Sequence, residues 1–265
     1  MSIFDRASVP PLARQLDAIR TAPGGDELAS REHQLLELVH GARVLDVGCG
    51  TGEDARRFAG SVGTEGTIIA VDHDREMIQL AKTRAVAESL PIRFLVGDAH
   101  ALPLDDGSVD RSFSSRLLHL SPTPDRIVSE MVRVTVPGGR IVFSMEPDWD
   151  TLVVDVPDRE LTRRILARRS DCFANPWSGR RLLRLVRDAG LSDAGVRAHT
   201  HVITSLSEEG QSLPIPWAEQ LDAMRRRELV TADEMDTWLD QLRAADAAGR
   251  FFAAVTFFTA YGNRR

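Results

Sequence analysis

The sequence predicts a doubly wound α/β domain, in which a mainly parallel sheet is covered by helices on both faces. Short β-branched runs alternate with amphipathic stretches between residues 42 and 145, which is the pattern of successive strand–helix–strand units. The first of these runs leads into a glycine-rich loop, where sheets of this kind bind their ligands. With 265 residues, the chain is long enough for one such domain and a modest cap.

The elements of this domain follow one another along the first part of the chain. Strands are predicted at residues 42–47, 67–72, 92–98, the beginning of 108–118, and 140–145. Helices are predicted between them, in the stretches 53–61, 75–89 and 124–134. The tripeptide Pro137-Gly138-Gly139 is predicted to be the turn that leads into the fifth strand.

The rest of the chain is predicted to add helices and two more strands. Residues 176–190 predict a helix that stops at Gly190, and residues 196–206 alternate as a strand does. Residues 216–249 are predicted to be helical, and 251–262 a buried strand, although a terminal core helix would also suit that apolar run. We therefore expect an N-terminal helical cap segment at residues 1–40. The core would consist of residues 41–206 and 250–265, and a helical cap insertion would occupy residues 207–249, before the last strand.

Composition and charge narrow the partners that we expect. The net charge of −6 disfavours nucleic-acid binding, and the basic stretch from Arg159 to Arg187 is interpreted as solvated helix faces. No apolar run approaches the roughly 20 residues of a membrane span, and the first residues lack the pattern of a signal peptide. Cys49 and Cys172 have neither disulfide nor metal-ligand spacing. We expect a cytoplasmic protein with no nucleic-acid, membrane or metal partner.

The glycine-rich loop lies in the segment VLDVGCGTG, residues 44–52. A strand that runs directly into Gly48, Gly50 and Gly52 lets the backbone approach a ligand closely. Asp46 lies inside the same strand, where a carboxylate is costly unless it has partners. The spacing G-x-G-x-G differs from the dinucleotide pattern G-x-G-x-x-G, which disfavours a nicotinamide cofactor.

Two further carboxylates are predicted at the same edge of the sheet. Asp72 ends the second strand, where a carboxylate can accept both hydrogen bonds from a ribose diol. Asp98 follows the third strand, where it could recognise an adenine amino group. Either residue alone would equally suit a helix N-cap or a turn. Together with the glycine loop, they predict a nucleoside site.

Five segments carry a family resemblance: VLDVGCGTG, VDHDREM, GDAHALPL, VDRSFSSRLLHL and PGGR. In this order they resemble the motifs of class I S-adenosylmethionine-dependent methyltransferases, specifically the menaquinone-methylase-like group. The resemblance is strong over residues 42–145. It implies a Rossmann-like, seven-stranded sheet whose last strand is antiparallel. It also implies S-adenosyl-L-methionine as cofactor and S-adenosyl-L-homocysteine as product.

The same resemblance implies which residues bind the cofactor. They are Asp46, Gly48, Gly50, Gly52, Asp72, His73, Met77, Asp98, Ala99, Ser115 and Arg116. The loop would bind the methionine part, Asp72 the ribose hydroxyls, and Asp98 with Ala99 the adenine. His73 and Met77 would lie beside the adenosine. Ser115, at the end of the fourth strand, would lie near the methionine part of the cofactor. Arg116 would pair with the cofactor carboxylate, or else face the acceptor or solvent.

Methyl transfer from a sulfonium needs near-attack geometry in a water-poor pocket, and a base only when the acceptor must lose a proton. His119, after the fourth strand, is the candidate base; the alternative is that it only packs the loop. Glu146 and Trp149, after the fifth strand, are candidates for orienting the acceptor and walling its pocket; the alternative is a packed turn. His199 and His201 share a strand face, which we interpret as strand surface and not as a metal site.

These observations predict a methyltransferase that acts on oxygen, nitrogen or carbon of a small molecule, such as a secondary metabolite or a quinone-like compound. The predicted cap insertion at 207–249 favours a roofed pocket for such an acceptor. A cofactor-binding protein of this fold that does not methylate is the alternative. A nicotinamide-dependent oxidoreductase is disfavoured by the loop spacing. The expected assembly is a monomer or a homodimer.

Overall fold

A computed structural model describes residues 25–206 and 230–265, together with the isolated positions 13, 224 and 226. Most of the predicted N-terminal cap segment, before residue 25, lies outside the described residues. So does most of the first half of the predicted cap insertion, between residues 207 and 229.

The described residues form a sheet of eight strands. They are β1 (Arg43–Val47), β2 (Thr67–Asp72), β3 (Ile92–Val96), β4 (Val109–Ser115), β5 (Thr135–Pro147), β6 (Val153–Val154), β7 (Ser192–Ile203) and β8 (Ala253–Asn263). Their spatial order is β3-β2-β1-β4-β5-β8, with β7 on the far side of β8. The first five strands are parallel, and β8 is antiparallel to both of its long neighbours. The predicted doubly wound sheet with an antiparallel last strand is confirmed.

Two details of the sheet differ from the prediction. The two-residue strand β6 makes eight strands instead of seven, because the chain after β5 turns back and pairs Val153 with Ala254, beyond the end of β5. The Pro137–Gly139 segment is also not a separate turn. It lies inside β5 as an irregularity, where the β4 register jumps from Thr135 to Arg140.

Seven helices are described. They are α1 (Gly25–Gln34), α2 (Glu53–Val62), α3 (Arg75–Ala87), α4 (Pro124–Val134), α5 (Arg159–Ser170), α6 (Ser178–Asp188) and α7 (Ala232–Ala247). Local sequence explains several of their starts. Asp74 caps α3 by accepting the N–H groups of Glu76 and Met77. Thr231 and Glu234 form a capping box at the start of α7.

Helices cover both faces of the sheet because neighbouring strand residues point to opposite sides. Leu45 of β1 belongs to a core cluster with residues of α4 and α6, among them Met131 and Val186. Val44, one residue earlier, belongs to a second cluster with residues of α2 and α3, such as Phe58. These two clusters hold the sheet between its helical layers.

A third core cluster lies at the carboxyl edge of the parallel strands. In β8, Phe257 pairs with Pro147 at the end of β5, so Val255 lies beyond that end. Val255 packs in this cluster with residues of α5 and α7, including Ile165 and Trp238. Trp238 is fully buried and donates its indole N–H to Thr162 in α5 at 3.0 Å. A helical layer therefore stands at the same edge as the glycine loop.

Candidate functional site

The glycine loop connects β1 to α2, and its conformation requires glycine. Gly48, Gly50 and Gly52 have φ values of +71°, +50° and +74°, in the left-handed region. Two of these positions also have no room for a side chain. A β-carbon at Gly48 would lie 2.9 Å from Leu117 Cδ1, and one at Gly52 would lie 2.9 Å from Phe94 Cε1. The loop is therefore a tightly packed turn, in which Leu117 and Phe94 leave no room for a side chain at Gly48 and Gly52.

Replacing Gly52 with alanine is expected to lower the free energy of unfolding by about 2 kcal/mol, because left-handed strain and overpacking each cost about 1 kcal/mol or more. Urea denaturation measures the change. Gly60 is the matched control, since it lies in α2 with no atom within 4 Å of an added β-carbon. Alanine there should stabilise the helix by up to about 1 kcal/mol. Equal stabilities for Gly52→Ala and the parent protein would contradict this account.

Asp72 links the end of β2 to the glycine loop through a hydrogen bond. Its Oδ2 accepts the N–H of Gly50 at 2.8 Å, and its Oδ1 accepts the N–H of Asp74 at 2.9 Å. The adjacent His73 is largely exposed, and Met77 is buried one turn into α3. Each carboxylate oxygen accepts more than one hydrogen bond, so Asp72 keeps capacity for a ligand hydroxyl at this edge.

Asp46 and Cys49 lie on either side of the loop entrance. Asp46 is buried in β1, as the sequence predicts. Burial raises the pKa of the Cys49 thiol well above its usual value, and the neighbouring Asp46 and Asp72 carboxylates raise it further. Cys49 therefore stays protonated, which fits a small residue that fills the loop.

Asp98 and Ala99 follow β3 at the same edge, and a residue that the sequence analysis missed holds Asp98. His100 donates its backbone N–H to Asp98 Oδ1 at 2.8 Å, and its Nδ1 lies 2.7 Å from the same oxygen. These contacts hold the pKa of the Asp98 carboxyl below its usual value. His100 Nε2 lies 2.8 Å from Ser121 Oγ. In the sequence, the contact between His100 and Asp98 is indicated only by the position of the histidine, two residues after a carboxylate at the sheet edge.

Glu146, near the end of β5, is fully buried. Its Oε1 accepts the N–H groups of Leu117 and Leu118, both at 2.7 Å. Its Oε2 accepts the His119 N–H at 3.0 Å and the Ser178 hydroxyl at 2.9 Å. Burial alone would raise the pKa of Glu146, but His119 and these hydrogen bonds outweigh it, so the pKa lies below the usual value. The structure thus places Glu146 inside the turn after β4, whereas the acceptor-orienting role predicted for it needs an accessible oxygen.

His119 lies in that turn, the short 3₁₀ helix Leu118–Leu120. Its Nδ1 is 3.4 Å from Glu146 Oε2, so the structure brings together two of the predicted site residues. The imidazole is almost buried and lies beside the rings of Trp149 and Phe173, with centroids 6.1 Å and 5.8 Å away. Packing of the loop and a chemical role are both compatible with this position.

Trp149 is the centre of an aromatic cluster at the carboxyl edge. It stacks on Phe173 with centroids 4.7 Å apart, and the Arg169 guanidinium lies 4.3 Å from its ring centroid. The ring of Phe257 in β8 lies edge-to-face with Trp149, with centroids 6.1 Å apart. Arg169 belongs to the stretch predicted to be solvated helix faces, but it is buried, and burial lowers its pKa to about 9.

His201 is also buried, which corrects its assignment to the strand surface. Its ring packs against Phe257 at 5.2 Å and against His199 at 4.7 Å, and only 7% of the residue is exposed. Burial, with smaller effects from His199 and Arg116, lowers its pKa to about 4. The reason is that Phe257 covers this strand face, which alternation alone does not reveal.

Ser115 is the last residue of β4, and Arg116 follows it directly. Ser115 pairs with Ser144 in the register of β4 and β5. Arg116 has a φ of +54°, and its N–H donates to the Ser144 carbonyl at 3.0 Å. Its positive charge is the smallest of the three causes that lower the pKa of His201, after burial and His199.

Neither a metal cluster nor a membrane span is found in the described part of the chain. No group of three His, Cys, Asp or Glu side chains there could hold a metal ion. None of the described helices has the length and apolar character needed to cross a membrane. The site is thus defined by its glycine loop, its edge carboxylates and its aromatic cluster.

Comparison with known proteins gives the family context. A family model described as a methyltransferase domain matches residues 44–139. An uncharacterized 37.1 kDa protein in transposon TN4556 of Streptomyces fradiae is 36% identical over 265 residues, which cover 97% of this chain and 72% of that protein. A demethylmenaquinone methyltransferase of Lactococcus lactis is 37% identical over 103 residues, 38% of this chain and 41% of that enzyme. The chain therefore aligns with less than half of the length of that relative.

The fold is shared with solved structures as well. The crystal structure of a SAM-dependent methyltransferase from Aquifex aeolicus superposes with a TM-score of 0.52 at 18% identity. The match covers 96% of this chain and 98% of that one. At this identity the likeness concerns the fold alone.

Proposed function

Because this chain belongs to the class I S-adenosylmethionine-dependent methyltransferases, we propose that it transfers the methyl group of that cofactor to a small-molecule acceptor. The observation that supports this most is the hydrogen bond from the Gly50 N–H to the Asp72 carboxylate. Asp98 lies at the same edge of the sheet. When bound, the cofactor supplies an electrophilic methyl group on a positively charged sulfur. The residues described above fit such a ligand.

We assign the cofactor's parts to residues along this edge. The backbone of the Gly48–Gly52 loop would hold the methionine part, because its three glycines carry no side chains and adopt the positive φ values of a tight turn. Asp72 would accept from the ribose hydroxyls, and Asp98 from the adenine amino group. The carboxylates of Asp46 and Asp72 on either side of the loop also favour a cationic ligand.

We propose His119 as the base for acceptors that must lose a proton. The Glu146 carboxylate, 3.4 Å from Nδ1, favours the tautomer with its proton on that nitrogen. Nε2 is then the atom that accepts a proton. The rings of Trp149 and Phe173 beside His119 exclude water from this region. In this scheme Glu146 is a positioning residue for His119, and the acceptor carries its proton on oxygen or nitrogen.

The helical layer at the carboxyl edge suits a small acceptor. α5 and α7 pack on β8 beyond the end of β5, on the edge where the acceptor would approach. We propose that this layer and the cap insertion roof the acceptor pocket, with Trp149 as part of its wall. The net charge of −6 disfavours a nucleic-acid partner. We propose a cytoplasmic enzyme that acts as a monomer or homodimer.

The proposal is tested by ligand binding, followed by methyl transfer. S-Adenosylhomocysteine should raise the melting temperature in proportion to the logarithm of its concentration, whereas NAD⁺ should leave it unchanged. Cofactor with a labelled methyl group, incubated with metabolite extracts, should then label a small molecule. Stabilisation by NAD⁺ alone would refute the proposed cofactor. Tight binding without any labelled product would favour a protein that does not methylate.

Replacing His119 with asparagine is expected to lower kcat by about 100-fold or more if it is the base. The asparagine amide can still contact Glu146, but it lacks the Nε2 position. Affinity for S-adenosylhomocysteine should stay within twofold, because the cofactor residues are untouched. Initial rates are measured with the acceptor found by labelling. The control is His40→Asn, before the opposite end of β1. An unchanged kcat would show that His119 only packs the loop.

A further inference from the structure

His100 connects two separate parts of the carboxyl edge. Both its backbone N–H and its Nδ1 contact one oxygen of Asp98, at 2.8 Å and 2.7 Å. Its Nε2 lies 2.8 Å from the hydroxyl of Ser121, the residue that ends the turn carrying His119. Arg126 of α4 holds the His100 backbone by donating from Nε to its carbonyl at 2.9 Å. The imidazole is therefore held at both ring nitrogens and through its backbone.

The order Ser121–His100–Asp98 has the pattern of a nucleophilic triad, but the geometry favours another role. Ser121 is only 4% exposed, and its Oγ accepts the N–H of Thr123 at 3.1 Å. Its hydroxyl proton is then free to point to His100 Nε2, while Nδ1–H donates to Asp98. In this chain of hydrogen bonds, here called the relay, both ring nitrogens of His100 and the Ser121 hydroxyl have partners, and the serine is buried. The relay orients a carboxylate and does not activate a nucleophile.

Asp98 needs such an orienting group. Its side chain is 66% exposed, so without fixed contacts it would sample several rotamers in solvent. Both His100 contacts fall on Oδ1, which leaves Oδ2 as the oxygen that we assign to a ligand amino group. A carboxylate fixed before the ligand arrives binds more tightly, because its ordering cost has already been met.

We propose that His100, anchored by Ser121, is a positioning residue that sets the preference of this site for an adenine amino group. This inference rests on the proposed function, since it assumes that Asp98 faces the adenine. It predicts that discrimination between bases, and not only affinity, depends on the relay. Inosine carries a carbonyl oxygen where adenosine carries the amino group, so it has no donor for Asp98 at that position.

The test compares the dissociation constants of S-adenosylhomocysteine and S-inosylhomocysteine by calorimetry in the full chain. The parent protein should prefer the adenine compound. His100→Phe should reduce that preference by about tenfold, mainly by weakening the adenine compound. His100→Asn, which can still donate to Asp98 Oδ1, should retain most of the preference. Ser121→Ala should fall between the two, because the ring remains but its anchor is lost.

The outcomes separate this inference from the proposed function. If the parent protein binds neither compound, the proposed function fails. If it prefers adenine and His100→Phe keeps the same ratio, the inference is wrong. An equal loss of affinity for both compounds would mean a purely structural role and would also overturn it. His40→Asn is the control, and Ser121→Ala with His100→Asn keep the test decisive if His100→Phe fails to fold.

Discussion

Replacing Glu146 with glutamine is expected to lower the free energy of unfolding by about 3 kcal/mol, the cost of breaking a buried charged network. The carboxylate accepts three backbone N–H groups of residues 117–119 and the Ser178 hydroxyl. A glutamine offers one acceptor oxygen, and its amide would turn an N–H group towards another N–H group. Urea denaturation at neutral pH measures the loss. The control is Glu88→Gln: the Glu88 carboxylate pairs with Arg56, but its side chain is about half exposed, so the change in stability should be less than about 1 kcal/mol.

The difference between the parent protein and Glu146→Gln should depend on pH in one direction. The folded pKa of Glu146 lies below its usual value. Its ionisation therefore contributes stability that is fully present above the unfolded pKa of about 4.3. That contribution declines as the pH falls towards the lower folded pKa, because the proton then binds the unfolded chain first. A stability difference that grows on acidification would contradict the assignment.

Replacing Asp72 with asparagine is expected to weaken S-adenosylhomocysteine binding by about 100-fold. A hydrogen bond to a charged group contributes about 1.5–3 kcal/mol, and the neutral amide weakens the bonds to both ribose hydroxyls. The amide nitrogen would also face the N–H of Gly50 or Asp74, which the carboxylate now accepts. Calorimetric titration measures the affinity.

The matched control for this change is Asp74→Asn, two residues later. Asp74 caps α3, and asparagine is an equally good N-cap, so binding should stay within about twofold. The comparison separates loss of a ribose contact from general loosening of the β2–α3 connection. Similar affinities for Asp72→Asn and the parent protein would remove Asp72 from the cofactor site.

Local patterns predicted most of the fold. α4 has the bounds predicted for it, residues 124–134. β2 ends at Asp72 and β3 at Val96, so the carboxylates of Asp72 and Asp98 lie at the strand ends, as expected. The last strand was correctly preferred over a helix because β-branched and aromatic residues follow one another in β8. These features depend on neighbours in sequence, and so they can be recognised without knowing the tertiary structure.

The features that escaped prediction depend on distant contacts. Glu146 bonds to residues 27–32 positions away, and no spacing rule shows that a strand-end carboxylate points into a preceding turn. A glutamate among buried strand residues was the available clue, since such a charge needs partners. His201 is covered by Phe257, which is far along the chain. The β6 pair likewise forms only because β8 extends beyond β5.

The position of β8 has a consequence for how the protein is made. β8 lies between β5 and β7 but follows both of them in the chain. During translation, the long facing edges of β5 and β7 therefore stay unpaired until the ribosome has released residues 253–263. About 50 residues separate β7 from β8, which takes several seconds at typical elongation rates. Open strand edges invite mispairing, so slowing synthesis after residue 203 should increase aggregation of the nascent chain and its dependence on chaperones.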